Sequence, residues 1–324
     1  MSTKSPEVLE NAEAFDNEIH LRDLFTVLWK GKLLIMLITG FTAVCAVVIA
    51  LWLPNIYESK ALLAPKDESG AGGLASLAQQ YGGLASLAGI NIGGGGGESS
   101  KSIMAQQKIQ SLDFFKRHLY EKIMLDLMAV DHWEATSGEL VYDPDVFDVK
   151  NQTWVRDVSY PQQIKPSAQE AYKDFLELLT ISEDEKTSLV TITIKHESPV
   201  VAQAWVALII EAITEELRGT DVEEAQGSIE FLEQQRAQTS LVSLDEVFAQ
   251  LIEEQTKTIM LANVSKDYVF NVIDPAVVPE LKSEPKRALI CILGTSLGVM
   301  LGILLVLVRH YAFGKKAISD DNGS

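Results

Sequence analysis

Two runs of 21 residues without a charged side chain, Leu33 to Leu53 and Ala288 to Val308, stand near the two ends of this 324-residue chain. As helices rising ~1.5 Å per residue, each covers the ~30 Å hydrocarbon core of a bilayer. Trp29 and Trp52 bracket the first run and Tyr311 follows the second, where amphipathic rings favour the headgroup level. Core helices of soluble proteins rarely stay charge-free for so long. The first run does not read as a cleaved signal: 32 residues precede it, six of them acidic, and no small-x-small site follows. Arg22, Lys30 and Lys32 precede it, and Lys60 and Lys66 are the only basic residues soon after, which predicts cytoplasmic termini. The second run, with Lys282, Lys286 and Arg287 before it and Arg309, Lys315 and Lys316 after, sets no orientation by itself.

These spans predict a cytoplasmic segment 1–32, a membrane helix 33–53, one external domain 54–287, a second membrane helix 288–308 and a cytoplasmic tail 309–324. The external domain carries 20 Lys and Arg against 37 Asp and Glu, nearly all of the chain's net charge of −18. Such acidity excludes nucleic-acid binding by charge and disfavours tight electrostatic binding to anionic lipid or polymer. Both cysteines, Cys45 and Cys291, lie in the spans, so no external disulfide and no cysteine-based zinc site is expected. The cytoplasmic pieces are too short for a kinase or cyclase, and function is expected in the external domain, the spans or their assembly.

Within the external domain, residues 56–64 read as a strand ending at Pro65, and LVTITIK at 189–195 alternates strictly as a second strand. YVFNVI at 268–273 is a return strand, and the three could share one sheet near the membrane. Residues 104–128 keep helical spacing with a turn near Asp113, 129–166 look irregular, and 168–179 form a short amphipathic helix. Ser198-Pro199 caps and starts a helical region running to about 262, interrupted at Gly219, restarted at Thr220 by a capping box, and offered a second start at Ser243. This protrusion, 199–262, is either one rod of ~96 Å or a hairpin folded near 239–244. Its narrow seam at Ile229, Leu232, Val247, Leu251 and Ile252 implies packing against another helix, with a neighbouring subunit as the preferred partner. Pro275, Pro279 and Pro285 make the stretch before the second span a stiff extended strut.

Residues 69–97 repeat GGLASLA at 72–78 and 82–88 before five glycines, too Gly-rich for a stable helix and too apolar for a solvated linker. The segment reads as a membrane-proximal loop ordered against the bilayer, a neighbouring subunit or a membrane partner, with a flexible linker as the alternative. Gly95 to Ser102 misses the phosphate-loop pattern because Ser100 replaces its second glycine. Catalytic groupings are poor. His118, His132 and His196 have no i, i+4 spacing; Asp131, His132 and Glu134 read as a surface turn before a metal site; Glu183 to Glu185 and Glu223-Glu224 read as solvated faces. No catalytic residue, metal or cofactor is expected. The second span does carry a pattern: Gly294, Gly298 and Gly302 recur every fourth residue, a helix-association face to which Gly40 and Ala43 or Ala46 could be opposed.

The layout resembles the bacterial polysaccharide co-polymerases, in particular the Wzz type of O-antigen chain length determinant. The resembling stretches are LRDLFTVLWKGK (21–32), KHESPVVAQAW (195–205), SIEFLEQQ (228–235) and VIDPAVVPELKSEPKR (272–287) running into the glycine-patterned span. The resemblance implies a membrane α+β protein of the Gram-negative inner membrane, with two transmembrane helices flanking a periplasmic α/β base and a long helical protrusion. It also implies an octamer-like homo-oligomeric ring without catalytic residues, acting with the O-antigen polymerase on lipid-linked polysaccharide to set its length. On that analogy Pro275, Pro279, Pro285, Gly294, Gly298 and Gly302 match the family's exit motif, and the Gly-rich segment departs from the shorter forms. The alternatives are a capsule or exopolysaccharide subunit partnered with a separate tyrosine kinase or ABC transporter, and, as a different class, a two-anchor glycan-modifying enzyme.

Overall fold

The computed structural model describes residues 21–66, 97–238 and 242–313. Of the expected segments, the N-terminal one before residue 21, nearly all of the Gly-rich loop at 69–97, residues 239–241 of the fold-back expected near 239–244, and the tail after residue 313 lie outside the described residues. The elements are α1 (Leu21–Lys30), α2 (Lys32–Trp52), β1 (Tyr57–Pro65) and α3 (Gly97–Ile109). A composite helix α4 follows, made of Leu112–Phe114, a π-helical turn Phe115–Leu119 and Tyr120–Met128. Then come β2 (Val130–Glu134), β3 (Glu139–Tyr142), β4 (Phe147–Asp148), β5 (Thr153–Trp154), α5 (Ala168–Leu178), β6 (Leu179–Glu183) and β7 (Val190–His196). The long α6 (Pro199–Gln238), α7 (Val242–Val264), β8 (Phe270–Asp274) and α8 (Arg287–Phe313) complete the chain. They form two compact units: a body from Asn55 to Ser283, and a unit made by the chain's two ends.

The body is built on a four-stranded antiparallel sheet in the order β6-β7-β1-β8. The three strands expected to share a sheet do so, and β6 joins them as an edge strand that starts where α5 stops. Alternation in β7 turns Val190, Ile192 and Ile194 inward, opposite Leu63, Ala61 and Ser59 of β1. Trp205, Val206, Ile209 and Ile213 of α6 belong to the same core, as do Phe114 and Phe115 of α4 and Phe175 of α5. The rings of Phe115 and Phe175 lie 5.1 Å apart. Each buried Val, Leu, Ile and Phe among them contributes roughly 1.5–3 kcal/mol by leaving water.

Helix starts follow local chemistry. The Ser111 hydroxyl accepts the Phe114 N–H at 3.2 Å, so the break in the 104–128 region falls at Gln110-Ser111, just before the expected turn. Ser167 accepts the Glu170 N–H at 3.2 Å and Ser198 the Val201 N–H at 3.4 Å, with Pro199 as the first residue of α6. Two expectations fail. Residues 129–166 hold two small hairpins, β2/β3 and β4/β5. Gly219 does not interrupt the helix: α6 runs unbroken for 40 residues, and the Thr220 hydroxyl donates back to the Glu216 carbonyl at 2.9 Å rather than capping a new start. The cost of a helical glycine, roughly 1 kcal/mol, is overridden because Ile213 and Leu217 before it are held in the core.

In the other unit α2 and α8, long and apolar enough to cross a membrane, pack antiparallel. Every fourth residue of α8 meets α2. A Cβ on Gly294 would stand 2.5 Å from the Ala46 Cβ, one on Gly298 would overlap the Thr42 hydroxyl, and one on Gly302 would lie 3.1 Å from the Ile35 Cα. Val306 continues the row against Gly31. Gly40 has nothing within 4 Å, so Ala46 and not Gly40 faces the glycine row. Gly298→Leu is expected to lower the thermal midpoint of the detergent-solubilised chain, by an overpacking penalty of about 1–3 kcal/mol, while Gly40→Leu leaves it unchanged. Equal melts for the two variants would show that the glycine row does not hold the helices together.

Candidate functional site

The residues singled out in the sequence fall in three places. Gly294, Gly298 and Gly302 are taken up within the chain by α2, as described. Leu232 and Leu251 line one groove of about 640 Å³ between α6 and α7, with Gly227, Ser228, Phe231 and Gln255. The helices lie side by side, which selects the hairpin over the single rod. Beyond Ala225 no described side chain of α6 is buried, and in α7 only Ala262 is, while Phe231, Val247 and Met260 stand exposed. Of the seam itself only Val247 is exposed; Ile229, Leu232, Leu251 and Ile252 are half-buried where α6 and α7 pack on each other, so the helix that first covers the seam is the chain's own and not a neighbouring subunit's. Pro275 borders a second groove, about 360 Å³, between α6 and β8, with Gln203, Glu211, Arg218, Lys266 and Phe270. From there the strut runs extended beside β1: the Ser59 hydroxyl donates to the Val277 carbonyl at 2.8 Å, and the Ser283 N–H to the Ile56 carbonyl at 2.9 Å.

The strongest electrostatic feature of the body has no local sequence signal. Glu216, on α6 with its side chain 8% exposed, takes Lys108 of α3 at 2.8 Å, Arg117 at 2.9 Å and His118 at 2.6 Å, the latter two from the π-turn of α4. A π-turn widens the helix by one residue per turn, and here Arg117 and His118 both reach the same carboxylate. Burial pushes the Glu216 carboxyl up, but bonds from Lys108 and His118 and the charges of Lys108 and Arg117 outweigh it and hold it at about 2. One turn further, Asp221 accepts from Lys101 of α3 at 2.9 Å and from the Tyr268 hydroxyl at 2.6 Å. Lys101, in the segment that misses the phosphate-loop pattern, is thus engaged by a carboxylate. Arg218 lies over the Tyr268 ring and donates to the Ser265 carbonyl at 2.8 Å. Helix α3, which follows the Gly-rich segment, is in this way tied to the inner half of α6.

The remaining candidates for chemistry do not converge. His196 is buried at the β7–α6 junction, accepting the Ser198 N–H on Nδ1 at 2.9 Å, with Nε2 3.3 Å from the Asp126 carbonyl and the Trp205 ring edge-on at 5.0 Å. Burial pushes its pKa down, and this tautomer is the neutral one. His132 pairs with adjacent Asp131 at 2.9 Å, while Glu134 accepts the Thr136 N–H. Glu183 accepts from Gln106 and Asp184 closes its own turn on Lys186 and Thr187. Among the described residues no group of three side chains is placed to hold a metal ion.

Because the folded Glu216 pKa lies below the usual 4.5, its contribution is present above about pH 5 and is lost as pH falls toward 2. It amounts to about 3 kcal/mol at neutral pH. Glu216→Gln is expected to lower stability near pH 7 by a similar amount and to flatten the stability profile between pH 5 and 2, read from thermal melts across pH. A variant with the wild-type slope would place the acid sensitivity elsewhere.

Residues 17–121 match the family model described as "Chain length determinant protein", Wzz, and residues 235–311 match that described as "G-rich domain on putative tyrosine kinase". No curated protein matches the chain in sequence. Among solved structures, it is similar to a "full-length bacterial polysaccharide co-polymerase" at 15% identity and TM-score 0.38, covering 94% of this chain and all of that one. It is also similar to a fragment of WzzB, a polysaccharide co-polymerase from Salmonella Typhimurium, at 14% identity and TM-score 0.29, covering 71% of this chain and all of the fragment. The first family match contains α1, α2, β1, α3 and the start of α4, and the second contains the end of α6, α7, β8, the strut and most of α8. Residues 17–121, about a third of the chain, thus carry the match to the Wzz-type chain length determinant domain.

Proposed function

We propose that this chain regulates O-antigen polysaccharide length in lipopolysaccharide biosynthesis, as a homo-oligomeric, non-catalytic scaffold that works with the O-antigen polymerase on lipid-linked polysaccharide. The observation that carries the reading is the match of residues 17–121 to the chain length determinant model. In this reading α2 and α8 anchor the chain in the inner membrane of a Gram-negative cell, with 1–32 and 309–324 cytoplasmic and 54–287 periplasmic. The balance of basic residues around the first span supports that orientation. The exposed Phe231, Val247 and Met260 of the α6–α7 hairpin, beside the groove that Leu232 and Leu251 line, support assembly outside the membrane into an octamer-like ring. The glycine row of Gly294, Gly298 and Gly302 serves assembly indirectly, by holding the two spans of each subunit as one unit, and Pro275, Pro279 and Pro285 set the path of the strut.

A second reading is a co-polymerase or export subunit for capsule or exopolysaccharide, partnered with a separate tyrosine kinase. The match of residues 235–311 to a domain found on putative tyrosine kinases favours it. Electrophoresis of lipopolysaccharide separates the two. Deletion of the gene is expected to turn a clustered modal length into an unregulated ladder, restored by wild type and not by Leu251→Asp. An unchanged lipopolysaccharide profile with loss of capsule or exopolysaccharide would overturn the O-antigen reading in favour of the kinase-partnered one.

A further inference from the structure

The strut carries an apolar row that the body leaves uncovered. Val277 is 63% exposed, Val278 47% and Leu281 84%, and Ile273 at the start of the stretch is 54% exposed. The backbone beneath them is pinned. Besides the bonds from Ser59 and to Ile56, the Gln203 amide donates to the Ala276 carbonyl at 3.4 Å, the Ser283 hydroxyl to Glu58 at 3.0 Å, and Lys282 Nζ to Asn55 Oδ1 at 3.1 Å. An extended segment fastened at both ends cannot fold these side chains back into the core. Their exposure is built into the body.

Chain connectivity sets where the row stands. Lys282 is bonded to Asn55, which is three residues past Trp52, the last residue of α2. Three extended residues span at most about 11 Å. Leu281 is also six residues before Arg287, where α8 begins, a reach of at most about 22 Å. The row is therefore confined to the part of the body where the chain leaves one apolar helix and enters the other. Lys282, Lys286 and Arg287 alternate with Glu280 and Glu284 along this stretch, so the segment is close to neutral within a strongly acidic body. Electrostatic repulsion from lipid headgroups is relieved here, and insertion depends on apolar area.

From this placement, and resting on the reading of α2 and α8 as membrane spans, we infer that Val277, Val278 and Leu281 form an interfacial foot seated in the lipid headgroup layer. Its partner is a bilayer surface, with the side chains about 5–10 Å into the headgroup–acyl boundary. Lys282 and Arg287 supply cations at phosphate level. Such a foot fixes the height and tilt of the body above the membrane, a quantity that two flexible tethers would leave free.

The test uses the full chain in phosphatidylcholine–phosphatidylglycerol vesicles, labelled with the environment-sensitive fluorophore NBD at Leu281→Cys or Val278→Cys, with Cys45 and Cys291 replaced by Ala. Tyr160→Cys, 96% exposed in the irregular part of the body, is the aqueous control, and Cys45 alone in a Cys291→Ala chain is the span control. The foot labels are expected to lose most of their emission to lipid spin-labelled near the headgroup and little to aqueous iodide, and the Tyr160→Cys label the reverse. Quenching of the foot labels by iodide alone, with the span label still quenched by deep spin-labelled lipid, would overturn the foot and leave the spans intact. A span label untouched by lipid would instead overturn the membrane reading itself. Shielding of the foot labels from both quenchers would assign the row to a second copy of the chain and contradict the inference.

Discussion

The body depends on the double pairing of β1. It lies between β7 and β8, so the first strand after α2 is bonded to a strand more than 120 residues later and to another about 200 residues later. Closing the chain at Asn55 and Lys282, 227 residues apart, costs about 5 kcal/mol of loop entropy. Burial of a few side chains such as Leu63, Val190, Ile192 and Phe270 offsets that cost. Once β1 is in place, the ends of the body that lead to α2 and to α8 are neighbours. The strut beside β1 then inherits a fixed path.

Stability is graded away from this base. The inner half of α6 is buried from Ala202 to Leu217 and clamped by the Glu216 and Asp221 contacts to α3, α4 and Tyr268. The outer half, with α7, has almost no buried side chains. A hairpin of roughly 35 Å, the length of 23 helical residues, with one apolar seam is marginal by itself and gains from a neighbour. In the proposed ring the base supplies the fold, and the protrusion supplies the surface on which assembly acts.

Much of this was legible in the sequence where periodicity and composition carry the physics. The uncharged runs marked α2 and α8 to within a few residues, the strict alternation of LVTITIK marked β7, and Ser198-Pro199 marked the start of α6. The glycine spacing pointed to a packing face, though its partner on α2 is Ala46, Thr42 and Ile35 rather than Gly40. What could not be read depends on distant partners. Lys108, Arg117 and His118 meet Glu216 only because a π-turn and a long helix bring together residues about 100 positions apart. The hairpins of 129–166 have strands of two to five residues, too short for a period, and Gly219 reads as a break until the contacts on either side of it are known.

Hydrogen exchange of the full chain in nanodiscs, read by mass spectrometry at concentrations above and below assembly, addresses the central claim that a self-sufficient base carries a protrusion dependent on neighbours. Peptides from β1, β7 and residues 199–217 should exchange slowest at every concentration, while peptides from 226–264 gain protection only on assembly. Equal and concentration-independent protection across both regions would contradict the account.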